Sequence, residues 1–475
     1  MKKIIILALL ILGTISCEDF EGWNIDEKHP GQVSGSFLVT TAQRELAQRM
    51  WSISVNYNIF GMYAQHWTET TYNDEANYDL VNRNIGGNFW NFIYLQVLSN
   101  LHEAEKIIAD DAIMSAQTKA NQIAVIEIME VYTWQILVDT FGDIPYSQAL
   151  KGLDNLVPAY DDDEAIYDDL YNRLSTALNT LSQGGSSLGG ADLIYHGDVS
   201  KWMEFGYTTM LRMAVRVGYS DAAKGSEWAA KAVAGGPIHA ASSNAEFPFE
   251  SNPVNANPMW VSLVQSGRSD FVVANTFVDV ISPLNDPRAS VFMDDNIVPY
   301  IGGPYGDNNS FNNYTHIGDV FHVETMPGIL ATYDETLFLM AEAVALGLIA
   351  GDAEMYYNDA VTASIAYWTG SDAGAAAYLA QPSVKYDAAH WNESIGVQKW
   401  ISLFGRGFEA WASWKNLDYP EMNRPAVSEL PVPRRYIYPN TESAINTSNY
   451  EAASSAMGGD ALDSRVFWDN TGDGN

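Results

Sequence analysis

Residues 121–138 read NQIAVIEIMEVYTWQILV, a run that is apolar nearly all round a helical projection. A helix without a polar face must be covered on every side. No other feature of the chain constrains the fold so tightly. The segments available to cover it also have helical spacing. Val97, Leu101, Ala104 and Ile108 share one face, and Ile166, Leu170, Leu174 and Leu178 share another. Residues 200–217 predict a helix with Ser200 as N-cap. Residues 334–348 predict one capped by Asp334, with Leu337, Ala341, Val344 and Leu348 together. Residues 354–368 and 395–416 complete the set. The expected class is mostly α, built of paired helices with a loop-rich elaboration and few short strands. Paired helices suit a repeat architecture, although no clean 34-residue repeat can be read.

The texture changes between residues 240 and 330, where Pro, Gly and Asn crowd the sequence and periodicity fades. This reads as a loop-rich insertion, and long loops in compact folds are usually functional. The stretch Gly184-Gly185-Ser186-Ser187-Leu188-Gly189-Gly190 reads as a flexible loop between helices. With 475 residues, two or three domains would be possible. No long low-complexity linker divides the chain, so a single domain is expected.

The N-terminus has a different logic. Lys2 and Lys3 precede a nine-residue apolar run, Ile4 to Leu12, followed by Gly13-Thr14-Ile15-Ser16-Cys17. The order of basic, apolar and small residues is that of a secretory signal. The run is shorter than the roughly twenty residues that span a bilayer. Cys17 is the only cysteine of the chain and cannot form an internal disulfide. The segment resembles a bacterial lipobox, which implies cleavage after residue 16 and lipidation at Cys17. Glu18, Asp19 and Glu21 follow, and this acidic cluster resembles the surface-export signal of Bacteroidota lipoproteins. Residues 1–16 are therefore expected to be a signal peptide, and residues 17–475 the mature, lipid-anchored domain.

Without its signal the chain keeps 23 basic and 59 acidic side chains, because residues 1–16 hold two of the 25 basic residues and no acid. A surface so acidic repels nucleic acid. Hydrophobic residues make up 47 % and charged ones 18 %, enough apolar material for a large core and too little charge for general disorder. The 14 Trp and 26 Tyr suggest carbohydrate, whose flat faces pack on rings, although most must belong to the core.

Five segments, taken in order, resemble one family. Residues 140–150, TFGDIPYSQAL, resemble the G-D-I/V-P-Y-S-E-A signature of SusD-like lipoproteins. Asp286-Pro287-Arg288 resembles their DPR motif. Residues 335–343, ETLFLMAEA, resemble the E..FL.AEA helix. Gln398-Lys399-Trp400 through Phe404, with Glu409-Ala410-Trp411, resembles the QKW.ALF…EAW segment. Pro433-Arg434-Arg435-Tyr436-Ile437-Tyr438-Pro439 with Glu442 resembles the C-terminal stretch. The resemblance implies four tetratricopeptide-like helix pairs. It also implies a surface lipoprotein of the outer membrane that binds oligosaccharide, or in some members peptide, and delivers it to a SusC-type TonB-dependent transporter. It implies no enzymatic chemistry and no cofactor.

Read physically, these motifs are structural. Gly142 can end a helix in a left-handed conformation, and Pro145 cannot continue one. Asp286 and Arg288 can close a turn. Glu342 is expected to be paired or solvated rather than catalytic. Ligand-binding rings should lie in polar loops. Residues 65–78 offer Trp67, Tyr72 and Tyr78, and residues 299–314 offer Tyr300, Tyr305 and Asn308; the two loops are expected to form one surface site. The competing class is a secreted helical glycoside hydrolase, for which Glu69, Asp74 and Glu75 are the available carboxylates. There is no Gly-x-Ser-x-Gly, HExxH or phosphate loop. The eight histidines show no pair at ligand spacing, so no metal site is expected. Residues 469–474 resemble half of a calcium loop but read as a polar tail.

Overall fold

The computed structural model describes residues 33–470. The signal, Cys17 and the acidic cluster after it lie outside the described residues, as do residues 471–475.

The apolar run lies within helix α3 (Ala116–Phe141), which is buried along most of its length. Ser115 caps its start by accepting a hydrogen bond from Thr118 N–H. Gly142 stops it at φ +77°, and a Cβ there would come within 2.1 Å of Met457. Near its end, a buried carboxylate of α3 is held from three sides. Asp139 accepts from Arg216 (2.6 Å), Tyr167 (2.5 Å) and Trp468 (2.7 Å).

Around α3 the helices pair as expected. Helix α1 (Gly35–Met50) packs on α2, residues 85–110, which is continuous but contains a π-helical turn at Ile93–Leu98. α3 packs on α4 (Asp163–Leu181), α5 (Val199–Ser220) on α6 (Ala222–Gly235), and α7 (Tyr333–Ala345) on α8 (Ala353–Thr369). Successive pairs also touch, α2 on α3 and α4 on α5, so each pair buries the apolar face of the next. These are tetratricopeptide-like pairs without a legible repeat. Among the described residues no helix is long and apolar enough to cross a membrane.

Four expectations need correction. Asp198, not Ser200, caps α5, accepting from the Ser200 and Lys201 N–H groups. Thr332, not Asp334, caps α7, and Asp334 lies buried in the first turn. Residues 395–416 are not one helix. They fall in α9 (Trp391–Ser402) and α10 (Gly407–Leu417), separated by a turn in which Gly405 takes φ +88°. Asp469 is not in a solvated tail: it is fully buried and accepts from Arg434 (3.1 Å).

The loop-rich insertion carries most of the sheet structure. Strand β1 (Trp67–Glu69) pairs antiparallel with β3 (Phe271–Val273), Thr68 opposite Val272. Strand β2 (Ala245–Phe247) pairs with β4 (Gly328–Ala331), with an irregularity between Ala245 and Glu246.

The sequence motifs lie in buried ionic networks. Glu335 accepts from Arg212 Nε (2.9 Å) and Arg406 (2.5 Å). Glu409 takes Arg216 (2.9 Å). Glu342 is paired, not solvated: Lys399 (2.9 Å) and Tyr219 (2.8 Å) both donate to it. The DPR turn closes as expected, with Arg288 Nε on Asp286 at 2.9 Å and Nη2 at 2.6 Å. Ser364 and Gln398 also accept from Arg288, and Tyr378 donates to Asp286. Buried charges persist only when matched in this way. Each motif residue thus joins segments far apart in the chain.

Candidate functional site

The two polar loops do come together. Asn73 and Asn77 both donate to Gly306 O (2.6 and 2.7 Å), Asn309 donates to Glu69 O (2.9 Å), and Gly306 N–H donates to Thr68 Oγ1 (3.2 Å). Their rings, however, mostly point inward. Trp67 is only 3 % exposed and packs edge-on against Phe404. Its indole fits because position 61 is glycine; a Cβ there would lie 1.9 Å from the ring. Tyr78 is 2 % exposed and accepts from Gln65 (3.2 Å). Tyr305, equally buried, donates to Met62 O (2.7 Å). These three rings cannot offer a face to a sugar, which corrects the expectation for Trp67, Tyr78 and Tyr305. The loops are polar in sequence, yet these three rings serve as the core beneath them.

Three of the named residues remain at the surface. Tyr72 is 70 % exposed and is held at φ +57°. Tyr300 is half-buried and donates to Asp295 (2.8 Å). Asn308 is exposed.

Tyr72 stands at a cleft of about 390 Å³. Asn56, Arg83, Ser262, Ser266, Arg268 and Asp270 supply its polar groups, and Phe271 lies in its wall. β1 and β3 bring the two sides together, since Glu69 faces Phe271 in the register. Most of these polar groups were not singled out in the sequence. The available signal was the run Gln265-Ser266-Gly267-Arg268-Ser269-Asp270, a polar turn just before an apolar strand.

Glu69 and Glu75 lie beneath the cleft, both buried. Burial first, and Glu75 second, push the Glu69 carboxyl up to about 9, so it holds a proton at neutral pH. Burial also raises Glu75, against the pull of Arg83, with which it pairs. The two carboxyls interact directly. They do not flank an open space as a hydrolytic pair must.

The chain matches the family described as starch-binding and associating with the outer membrane, over residues 27–439. Several solved structures share the fold. A chitin-binding protein superposes with a TM-score of 0.80 at 26 % identity, covering 92 % of this chain and 100 % of that one. A chitin-binding SusD homologue from Flavobacterium johnsoniae gives 0.77 at 24 %, covering 92 % and 98 %. A SusD homologue from Bacteroides vulgatus gives 0.79 at 22 %, covering 93 % and 98 %. No curated protein sequence matches. The chain belongs to the SusD-like family of starch-binding proteins that associate with the outer membrane.

Proposed function

We propose that this protein captures an oligosaccharide in the cleft beside Tyr72 and passes it to a SusC-type TonB-dependent transporter. The cleft is the observation that carries this reading. An exposed ring stands over amide, hydroxyl and guanidinium donors, the chemistry that sugar faces and hydroxyls require. Relatives in the same fold are described as chitin-binding, so β-linked N-acetylglucosamine oligomers are the first ligands to test and starch oligomers the second. The carboxyl arrangement supports binding without turnover. Glu69 and Glu75 are both buried and interact with each other, which does not suit a pair that must flank a glycosidic bond.

Calorimetry tests the site. Tyr72→Ala should weaken the best oligosaccharide by about tenfold, or about 1.4 kcal/mol, while leaving thermal stability unchanged because the ring is exposed. Equal affinity in wild type and variant would move the site elsewhere. Saturable binding of peptides alone would replace the sugar reading, and steady release of reducing ends would restore the hydrolase.

The address at the outer membrane rests on Cys17. Each lipid methylene buried contributes roughly 0.8 kcal/mol, and two or more chains hold a protein firmly. The anchor keeps the binding protein beside its transporter at high effective concentration. Cys17→Ala should shift the protein from the membrane fraction to the soluble fraction. Unchanged retention would argue against the lipid anchor.

A further inference from the structure

We propose that His102, Glu105 and Glu130 bind a divalent transition-metal cation of the zinc class in the lining of a second cavity, which shares no lining residue with the cleft beside Tyr72.

This cavity, of about 520 Å³, lies between α2, α3 and α4. His102 and Glu105 are three residues apart on α2 and therefore share a helical face. Glu130 approaches from α3. One ligand atom from each lies within 4.8 Å of the others. Zinc holds nitrogen and carboxylate oxygen at about 2.0–2.2 Å, so small side-chain rotations close the shell. The sequence signal here is a His-x-x-Glu spacing with a single histidine, not a histidine pair.

The donors are free to bind. Glu130 gives one oxygen to Arg173, but its Oε1 is buried without a hydrogen-bond partner. Among the described residues neither the His102 ring nor the Glu105 carboxylate makes a hydrogen bond. Such an orphaned buried oxygen calls for an explanation, and an ion facing it supplies one.

The donor set selects the metal. Calcium takes six to eight oxygens, whereas one imidazole and two carboxylates suit zinc-like ions with an open position. The open side faces a cavity walled by Trp134, Tyr146 and Asp169, with room for water. A second carboxylate group, Asp143, Asp162 and Asp163, carries no such argument. Its oxygens already accept the N–H groups of Asp163, Ala165 and Phe467.

The test is calorimetry of the full chain, stripped with EDTA and titrated with zinc chloride alone. One saturable site with a micromolar or tighter Kd is expected, together with a rise in melting temperature. His102→Ala and Glu105→Gln, both on a half-exposed helix face, should each keep the helical circular dichroism and weaken binding at least about 100-fold. Asp387→Asn, which breaks the surface Asp387–His390 pair, should leave the affinity unchanged. No saturable binding up to about 1 mM zinc would overturn the proposal. So would binding that survives both cavity variants, the mark of an adventitious ion only. Calcium binding as tightly as zinc would overturn the assignment of metal class. Oligosaccharide titration of the same variants should be unaffected, so failure here stays distinct from failure of the glycan site.

Discussion

Glu335→Ala should cost about 3–5 kcal/mol of unfolding free energy, the largest loss expected from any single change of charge in this protein. Glu335 is fully buried at the start of α7 and receives both Arg212 and Arg406. Burial opposes its charge, but the two guanidinium groups outweigh burial and hold the carboxylate below its ordinary range. Without Glu335, Arg406 keeps only Leu330 O (2.8 Å) and Thr332 Oγ1 (3.3 Å), and Arg212 keeps a longer contact to Glu409 (3.3 Å). Two cations then share the core with too few anions. Glu335→Gln should lose most of the same energy, because shape is retained but charge is not. Glu164→Gln makes the contrast. Its partner Lys224 is at the surface, and a change below about 1 kcal/mol is expected. Urea denaturation with an unchanged m-value measures all three. A loss under about 1 kcal/mol for Glu335→Ala would show that the network is not what holds α5, α7 and α10 together. The same network sets an acid limit. Burial resists the charge of Glu409, yet Arg216 and Arg212 bring its carboxyl down to about 2. A carboxyl lowered on folding stabilises above its unfolded value, and that contribution fades as pH falls from 4.5 towards 2.

The helices were legible because burial leaves a period. Ile166, Leu170, Leu174 and Leu178 repeat every four residues and all lie in the core. α3 was legible for the opposite reason, since its missing polar face is itself the signal. Where the pattern ran on, the sequence misled. Apolar residues continue through Leu403 and Phe404, and only the positive φ of Gly405 separates α9 from α10. The caps were misplaced by two residues at most, as neighbouring Asp, Thr and Ser compete for the role. The two polar loops could be located but not oriented. Trp67 and Tyr305 sit among polar residues, and their burial depends on tertiary partners: Phe404 lies 337 positions from Trp67, and Met62 lies 243 from Tyr305. The cleft is equally non-local, joining Asn56 and Tyr72 to residues 261–271 through a three-residue strand pair. No spacing within either segment encodes that meeting.

Gly407→Ala should act on both the core and the cleft, because one stack of close contacts links them. A Cβ at position 407 would lie 2.3 Å from Gly61 N and 2.5 Å from Gly61 Cα, both backbone atoms with no rotamer to yield. On its other side Gly61 supports Trp67, whose indole occupies the space a side chain would need. α10, the turn at Phe60–Tyr63 and strand β1 are therefore layered at the closest distance glycine permits. An added methyl must part the first two layers. That loosens the rings stacked there, where Phe60 meets Trp411 at 5.6 Å and Tyr436 at 4.9 Å. The expected loss is about 3 kcal/mol, at the upper end for overpacking. Because β1 leads directly to Glu69 and Tyr72, the displacement should also widen the cleft. Oligosaccharide affinity, measured well below the melting transition, should fall several-fold although no cleft residue has changed. Ala410→Gly, later on the same helix and also buried, adds no such contact; the lost methyl and helix propensity together should lower stability by about 1–2 kcal/mol, with affinity intact. If Gly407→Ala reduced stability but left affinity at the wild-type value, the cleft would be shown to hold its shape independently of the stack beneath it.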